Sequence, residues 1–286
     1  MSTLLPAALQ HWLPRTWRRL PEPPQALWRD IVQRHPFLRA LTDTERQRLK
    51  LLSTHFLQEK EFHGAHGLEV TDAMALTVAA QACLPLLHML PPSGKRSAHP
   101  LSALDWYGDF VGIVIQPGAA VARRNHTDAT GVVHQYEEVL AGEAMDRGPI
   151  MLSWEDVHAA PHTIDRGGNL VIHEFAHKID MHGMGAGNAP DGAPPLPGAL
   201  WGTPSEAKAR EHWRAVMADA YAHFRESLSL AERFGGDMPW LDAYAATHPA
   251  EFFAVSCEAY FVNRERLALE FPALVTLYDG FFRSRA

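Results

Sequence analysis

Apolar positions recur with helical spacing through the first ninety residues. Thr42-Asp43-Thr44-Glu45 has the capping-box form Ser/Thr-x-x-Glu, and Leu49, Leu51, Leu52 and Phe56 follow it on one helical face. A second helix is predicted from Val70 to Met89, rich in alanine and leucine and stopped by Pro91-Pro92. That segment is apolar nearly all round, which predicts burial. Pro91 to Pro100 reads as a polar loop. The period then changes. Phe110-Val111-Gly112-Ile113-Val114-Ile115 is short and β-branched and ends at Pro117-Gly118, as a buried strand does. Val132 to Leu140 reads as another strand and Gly148 to Trp154 as a third, whose Pro149 marks an edge or a strand start. Gly167-Gly168-Asn169 opens a helix with Asn169 as N-cap, running from Leu170 to about Met181. Gly183 to Pro204 is dense in glycine and proline and predicts an irregular loop. Further helices are predicted near Ser205–Leu230, Pro249–Val262 and Pro272–Phe282. The pattern predicts an α+β fold, mainly helical, with a small sheet beside the helix at 170–181. A helical part, residues 1–100, is expected to pack on a second part, residues 101–286, as one compact unit.

Composition narrows the function classes. The chain has 286 residues, 47% apolar and 21% charged, which is ordinary globular usage. A net charge of −7 with no dominant Lys/Arg run excludes a phosphate-backbone partner, so no nucleic acid is expected. In Met1 to Leu20 the charges Arg15, Arg18 and Arg19 follow the apolar run, the reverse of a secretory signal. Leu5, Leu9, Trp12 and Leu13 can share a helical face, expected to dock on the protein's own body and not on a membrane. The two cysteines, Cys83 and Cys257, sit among apolar residues and form no CxxC pair. Buried thiols in a reducing cytoplasm are expected.

The chemistry concentrates at His173-Glu174-Phe175-Ala176-His177, an HExxH motif. On a helix, residues four apart share a face, so both imidazoles reach one ion. Zinc accepts three protein ligands and leaves a position for water in catalytic sites. Glu174 is the motif's general base. The third ligand is not close in sequence. The metzincin extension fails, because Gly183 stands where a histidine is needed and Asp180 where a glycine is needed. Glu206, Glu211, Glu251 and Glu258 remain, and spacing does not choose among them. Asp180 shares the face of His173 and His177 and either accepts the outer N–H of a ligating histidine or forms an ordinary ion pair. Glu258, seven after Glu251 on the same helical face, reads first as a solvated glutamate, with support of a ligand or contact with substrate as the alternatives, and His158, His162 and His182 read as surface or cleft residues outside the ligand set.

Three blocks carry a resemblance. His173-Glu174-Phe175-Ala176-His177-Lys178-Ile179-Asp180 is followed by Leu241-Asp242-Ala243-Tyr244-Ala245-Ala246 and by Pro249-Ala250-Glu251-Phe252-Phe253-Ala254-Val255. Together they resemble the Mlc titration factor A family of zinc peptidases, over most of the chain. The resemblance implies a zincin-like catalytic domain similar to that of anthrax lethal factor, with a gluzincin-type third ligand. It implies one zinc ion per chain held by His173, His177 and Glu251, with Glu174 as base and Tyr244 as the active-site tyrosine. From the residues alone Tyr244 reads as a packed aromatic. Glu251 lies in the first turn after His248-Pro249, where a helix dipole favours a carboxylate.

The expected function is hydrolysis of peptide bonds, aminopeptidase action included, with a peptide as substrate. The resemblance adds a regulatory contact with a transcriptional repressor. The alternative is a binding module that sequesters a transcription factor around a mainly structural metal, and the intact Glu174 argues against it. The Gly148–Trp154 strand is expected to pair with extended substrate as an edge strand, and the Gly183–Trp201 loop to be surface slack or a flap.

Overall fold

Thr42 starts a helix because its hydroxyl and the Glu45 carboxylate exchange hydrogen bonds with each other's backbone amides. In the computed structural model the Glu45 amide donates to Thr42 Oγ1 at 3.3 Å and the Thr42 amide to Glu45 Oε2 at 2.8 Å. The structure describes residues 22–94, 99–118, 120–127, 133–140, 142–144, 148–183 and 189–284. The amphipathic segment expected around Leu5 to Leu13 lies outside them.

Helices α1 (Gln25–Arg34), α2 (Pro36–Arg39) and α3 (Asp43–Glu59) lead into strand β1 (Glu61–Gly64) and helix α4 (Asp72–Cys83). Helix α4 is shorter than the apolar run that predicts it. Pro85 brings no amide for the next turn, so the chain tightens into a 3-10 turn over Pro85–Leu87. Strands β2 (Gly112–Gln116), β3 (Ala120–Thr127), β4 (Val133–Leu140), β5 (Gly142–Ala144) and β6 (Ile150–Ser153) follow, and then a short helix, α5 (Trp154–Ala159). Helices α6 (Leu170–Met181), α7 (Glu206–Phe234), α8 (Pro249–Val262), α9 (Arg264–Glu270) and α10 (Pro272–Phe282) complete the chain.

The main sheet has the order β1-β2-β6-β5. Its first three strands are parallel, with Phe62 opposite Ile113 and Ile113 opposite Ile150. β5 runs antiparallel to β6, with Glu143 opposite Met151. β3 and β4 form a separate antiparallel pair in register from Ala120↔Leu140 to Thr127↔Val133. β6 is therefore not an edge strand. Pro149 immediately precedes it, so the proline marks the strand's start, and the outer position belongs to β5, which runs beside α6.

Helix α6 is enclosed by α8, α4 and the sheet. Only Leu170 and His173 in it keep appreciable exposure. Phe175 packs edge-on against Tyr107 at 4.9 Å and near Phe56 and Phe110. Two lysines run through this core. Lys60 Nζ donates to the carbonyls of Tyr107 and Phe110 and lies 4.0 Å from the Phe110 ring, while Lys178 Nζ donates to the Gly148 carbonyl at 2.9 Å. Carbonyl acceptors and an aromatic face make these buried charges tolerable. Trp213 of α7 meets Phe253 and Phe281, joining α7 and α10 to the α8 face opposite α6. Cys83 and Cys257 are buried and unpaired, and burial pushes both thiols up.

The capping box gives two expected outcomes. Thr42→Ala should cost about 1 kcal/mol in chemical denaturation. Burial opposes the Glu45 charge, but hydrogen bonds from the Thr42 amide and His88 overcome it, lowering the carboxyl from 4.5 to about 2. A depressed folded value adds stability that is present above about pH 4.5 and lost as pH falls toward 2. The stability gap between wild type and Glu45→Gln should therefore be open at pH 7 and close progressively below pH 4.5, followed by urea melts across that range.

Candidate metal centre

Asn169 starts helix α6 by accepting the Ile172 amide on Oδ1 at 3.0 Å. The turn before it needs glycine. Gly167 has φ +74°, and a Cβ there would lie 3.0 Å from the Trp240 ring. With the helix so started, His173 and His177 fall one turn apart on the face toward α8. Helix α8 begins at Pro249, and the His248 ring accepts the Ala250 amide at 3.2 Å, which sets Glu251 in the first turn.

The three side chains converge. His173 Nε2 lies 3.1 Å from Glu251 Oε2, His177 Nε2 lies 3.2 Å from the same oxygen, and the two Nε2 atoms are 3.2 Å apart. A tetrahedral ion with bonds of about 2.0–2.1 Å spaces its ligand atoms about 3.3 Å apart. The observed triangle fits such an ion, and two imidazoles with one carboxylate are a donor set for it. Among the described residues, these three form the group with metal-ligand geometry. Burial disfavours charge on His173, but hydrogen bonds to Glu251 and Glu258 raise it well above 6.5. Burial likewise opposes the Glu251 charge, and the two histidines hold that carboxyl far below the usual range. The site thus has one anion facing two imidazole nitrogens, a field that favours a cation between them.

The other expected residues are placed as follows. Glu174 is buried at 3% exposure, next to His173 on α6, and its charge favours that of His173. Tyr244 lies on a 3-10 turn, Ala243–Ala246, and is 42% exposed, with its ring centroid 6.3 Å from that of His173. That exposure removes the packed-aromatic reading. The turn is held by Asp242, which accepts the Tyr244 amide at 2.9 Å, and by Tyr221, whose hydroxyl donates to the Ala246 carbonyl at 2.9 Å. Glu206 and Glu211 are exposed and paired with Arg210 and Lys208, away from the triangle. His158 and His162 are exposed, and His182 packs on Trp106.

Asp180 and Glu258 differ from their expected places. Among the described residues Asp180 makes neither a hydrogen bond to a histidine nor an ion pair. Its Oδ2 accepts the Gly192 amide at 2.8 Å, and Asp180 Oδ1 and His177 Nδ1 are both buried without a hydrogen-bond partner among the described residues. Burial pushes the Asp180 carboxyl up to about 7, against the Gly192 amide. Glu258 is not solvated. It is 8% exposed, and its Oε1 lies 2.7 Å from His173 Nδ1. The signal for it was present in the sequence: a lone carboxylate in the apolar run of α8, flanked by Cys257 and Ala259.

The described part of the 183–201 loop is not surface slack. Pro194, Leu196, Pro197 and Leu200 are buried, and Trp213 Nε1 donates to the Gly192 carbonyl at 2.8 Å. Gly192 has φ +76°, and a Cβ there would lie 2.6 Å from the Pro249 carbonyl oxygen. Left-handed backbone and this clash should make Gly192→Ala cost about 2 kcal/mol or more. Because Pro249 starts the helix that carries Glu251, metal affinity should fall in the same variant, measured by thermal melts with and without added zinc.

Comparison with known proteins points to a metallopeptidase family. The family described as glucose-regulated metallo-peptidase M90 matches residues 9–283. Mlc titration factor A of Salmonella arizonae is 32% identical over 258 residues, covering 90% of this chain and 90% of that protein. Mlc titration factor A of Escherichia fergusonii is 31% identical over 256 residues, 89% of this chain and 84% of that protein. The Yersinia pestis protein of the same name is 30% identical over 259 residues, with 90% and 84% covered. With its match running almost end to end, the chain belongs to the glucose-regulated metallo-peptidase M90 family.

Proposed function

We propose that the protein is a single-zinc peptidase with a zincin-like catalytic arrangement, its metal held by His173, His177 and Glu251. The observation that carries this reading is the 3.1–3.2 Å triangle of two Nε2 atoms and one carboxylate oxygen. It offers three ligands and leaves a fourth tetrahedral position for water, the pattern of catalytic and not structural zinc. Imidazole and carboxylate donors without thiolate suit zinc. An ion held by these three residues would supply Lewis acidity to polarise a substrate carbonyl and acidify a water.

The chain's own residues do the rest. Glu174 takes the proton as the water's oxygen bonds to the peptide carbonyl carbon. It returns that proton to the amine nitrogen when the C–N bond breaks. Its burial beside His173 favours a role in the reaction over an incidental surface one. Tyr244 donates its phenol hydrogen to the carbonyl oxygen as negative charge builds there. An exposed ring 6.3 Å from the His173 ring is placed for a substrate that enters from solvent. An extended substrate backbone pairs with β5, the terminal strand beside α6 among the described residues, because both sides of β6 are occupied. No helix among the described residues is long and apolar enough to cross a membrane. The two unpaired thiols suit a reducing cytoplasm.

A second reading rests on the relatives' name. Mlc titration factor A describes a protein that titrates Mlc. By this reading the chain binds a transcriptional repressor, and hydrolysis is secondary. Glu174 separates the two, since metal binding alone does not need it.

Purified wild type should carry one zinc per chain and cleave members of a peptide library, while Glu174→Gln keeps the zinc and loses about 1,000-fold or more in kcat/KM. Zinc in both proteins with cleavage in neither would favour the repressor-binding reading, and absence of zinc from both would end the peptidase proposal. A chelator should abolish wild-type cleavage and lower its Tm, with both restored by zinc.

A further inference from the structure

Both nitrogens of the His173 ring face helix α8. Nε2 meets Glu251 at 3.1 Å and Nδ1 meets Glu258 at 2.7 Å. Glu251 and Glu258 are seven residues, or about two turns, apart on that helix. A histidine gripped at both ends by one helix has little freedom to rotate or flip. Glu258 makes a second contact: its other oxygen accepts the backbone amide of Asn169, the N-cap of α6. Asn169 in turn donates through Nδ2 to Gln81 Oε1 at 2.7 Å, and Gln81 donates to the Thr77 carbonyl at 3.2 Å. Gln81 is fully buried and Asn169 nearly so. One carboxylate on α8 therefore clamps the first turn of α6 and the first histidine together, and a buried amide chain ties that clamp to α4.

We propose that Glu258 is the positioning residue of the metal centre. By accepting the Nδ1 proton it selects the His173 tautomer whose Nε2 lone pair points at Glu251 and His177. By holding the Asn169 amide it fixes how far along α8 the start of α6 sits. Histidine ligands commonly pass their outer N–H to a carboxylate, and loss of such a partner weakens metal binding about 10- to 100-fold. Here the same group also sets helix register, so one side chain controls both the direction of the lone pair and the distance to the third ligand. The inference rests on the zinc reading for its affinity consequence but not for the tautomer.

The test uses the full chain in three forms: wild type, Glu258→Gln and Glu258→Ala. Zinc affinity is measured by chelator competition, and the His173 imidazole is assigned by nitrogen-15 NMR in metal-free and zinc-loaded protein. Wild type should carry a proton on Nδ1 in both states, and on Nδ1 alone once zinc is bound. Glu258→Gln keeps size and shape but offers one acceptor oxygen to the two donors, His173 Nδ1 and the Asn169 amide, so one of the two bonds fails, and it should bind zinc about 10- to 100-fold more weakly, with Glu258→Ala at least as weak. Equal affinity in wild type and Glu258→Gln, within about twofold, would overturn the proposal. So would a wild-type His173 that carries no proton on Nδ1. If Glu258→Ala does not fold, Glu258→Gln and the wild-type spectrum still decide. If wild type binds no zinc, the peptidase reading fails by itself, and the Nδ1 proton of the metal-free protein decides this one.

Discussion

Everything else in the molecule is arranged around three polar atoms that must sit 3.1–3.2 Å apart in a largely buried cleft. Two imidazole lone pairs and a carboxylate oxygen do not gather there unaided, because each loses water in doing so. Helices α6 and α8 hold them. α6 brings two candidate ligands one turn apart, and α8 brings the third in its first turn. A small error in the packing of one helix on the other opens the triangle. The enclosure of α6 by α8, α4 and the sheet thus holds the triangle in place as well as stabilising the fold.

The polar groups around the triangle serve that requirement. Glu258 joins the start of α6 to α8. Asp180, at the far end of α6, holds the strap at Gly192, which lies against the first carbonyl of α8. Both ends of the metal helix are therefore tied to α8 or to a segment packed on it. Lys178 adds a third tie by reaching the Gly148 carbonyl just before β6. The buried Asp180 and Lys178 of this helix are explained by what they hold in place.

Much of this was legible in the sequence because local rules govern it. The capping box at Thr42, the N-cap at Asn169 and the helix starts at Pro249 and Pro272 depend on residues within one turn of each other. The i, i+4 histidines also declare themselves locally. The third ligand does not, for it lies 74 residues beyond His177 and spacing left four glutamates open; the neighbouring blocks of sequence, not periodicity, singled out Glu251. Supporting a ligand ranks below solvation for Glu258 in the sequence because it lies 85 residues from His173, and a lone glutamate reads as solvated unless its helix is known to be buried all round. β6 was open to misreading as an edge because β5 has only three residues and no apolar signature. Helix α9 was missed because Arg264–Glu270 is a short, charge-rich segment between stronger signals.

The most direct test of the central claim is zinc-edge X-ray absorption on the reconstituted protein. The account predicts two imidazole nitrogens and carboxylate and water oxygens at about 2.0–2.1 Å in a four-coordinate site, with one imidazole contribution lost in His173→Ala. A sulfur ligand, a closed site without exchangeable oxygen, or an unchanged spectrum in that variant would contradict it.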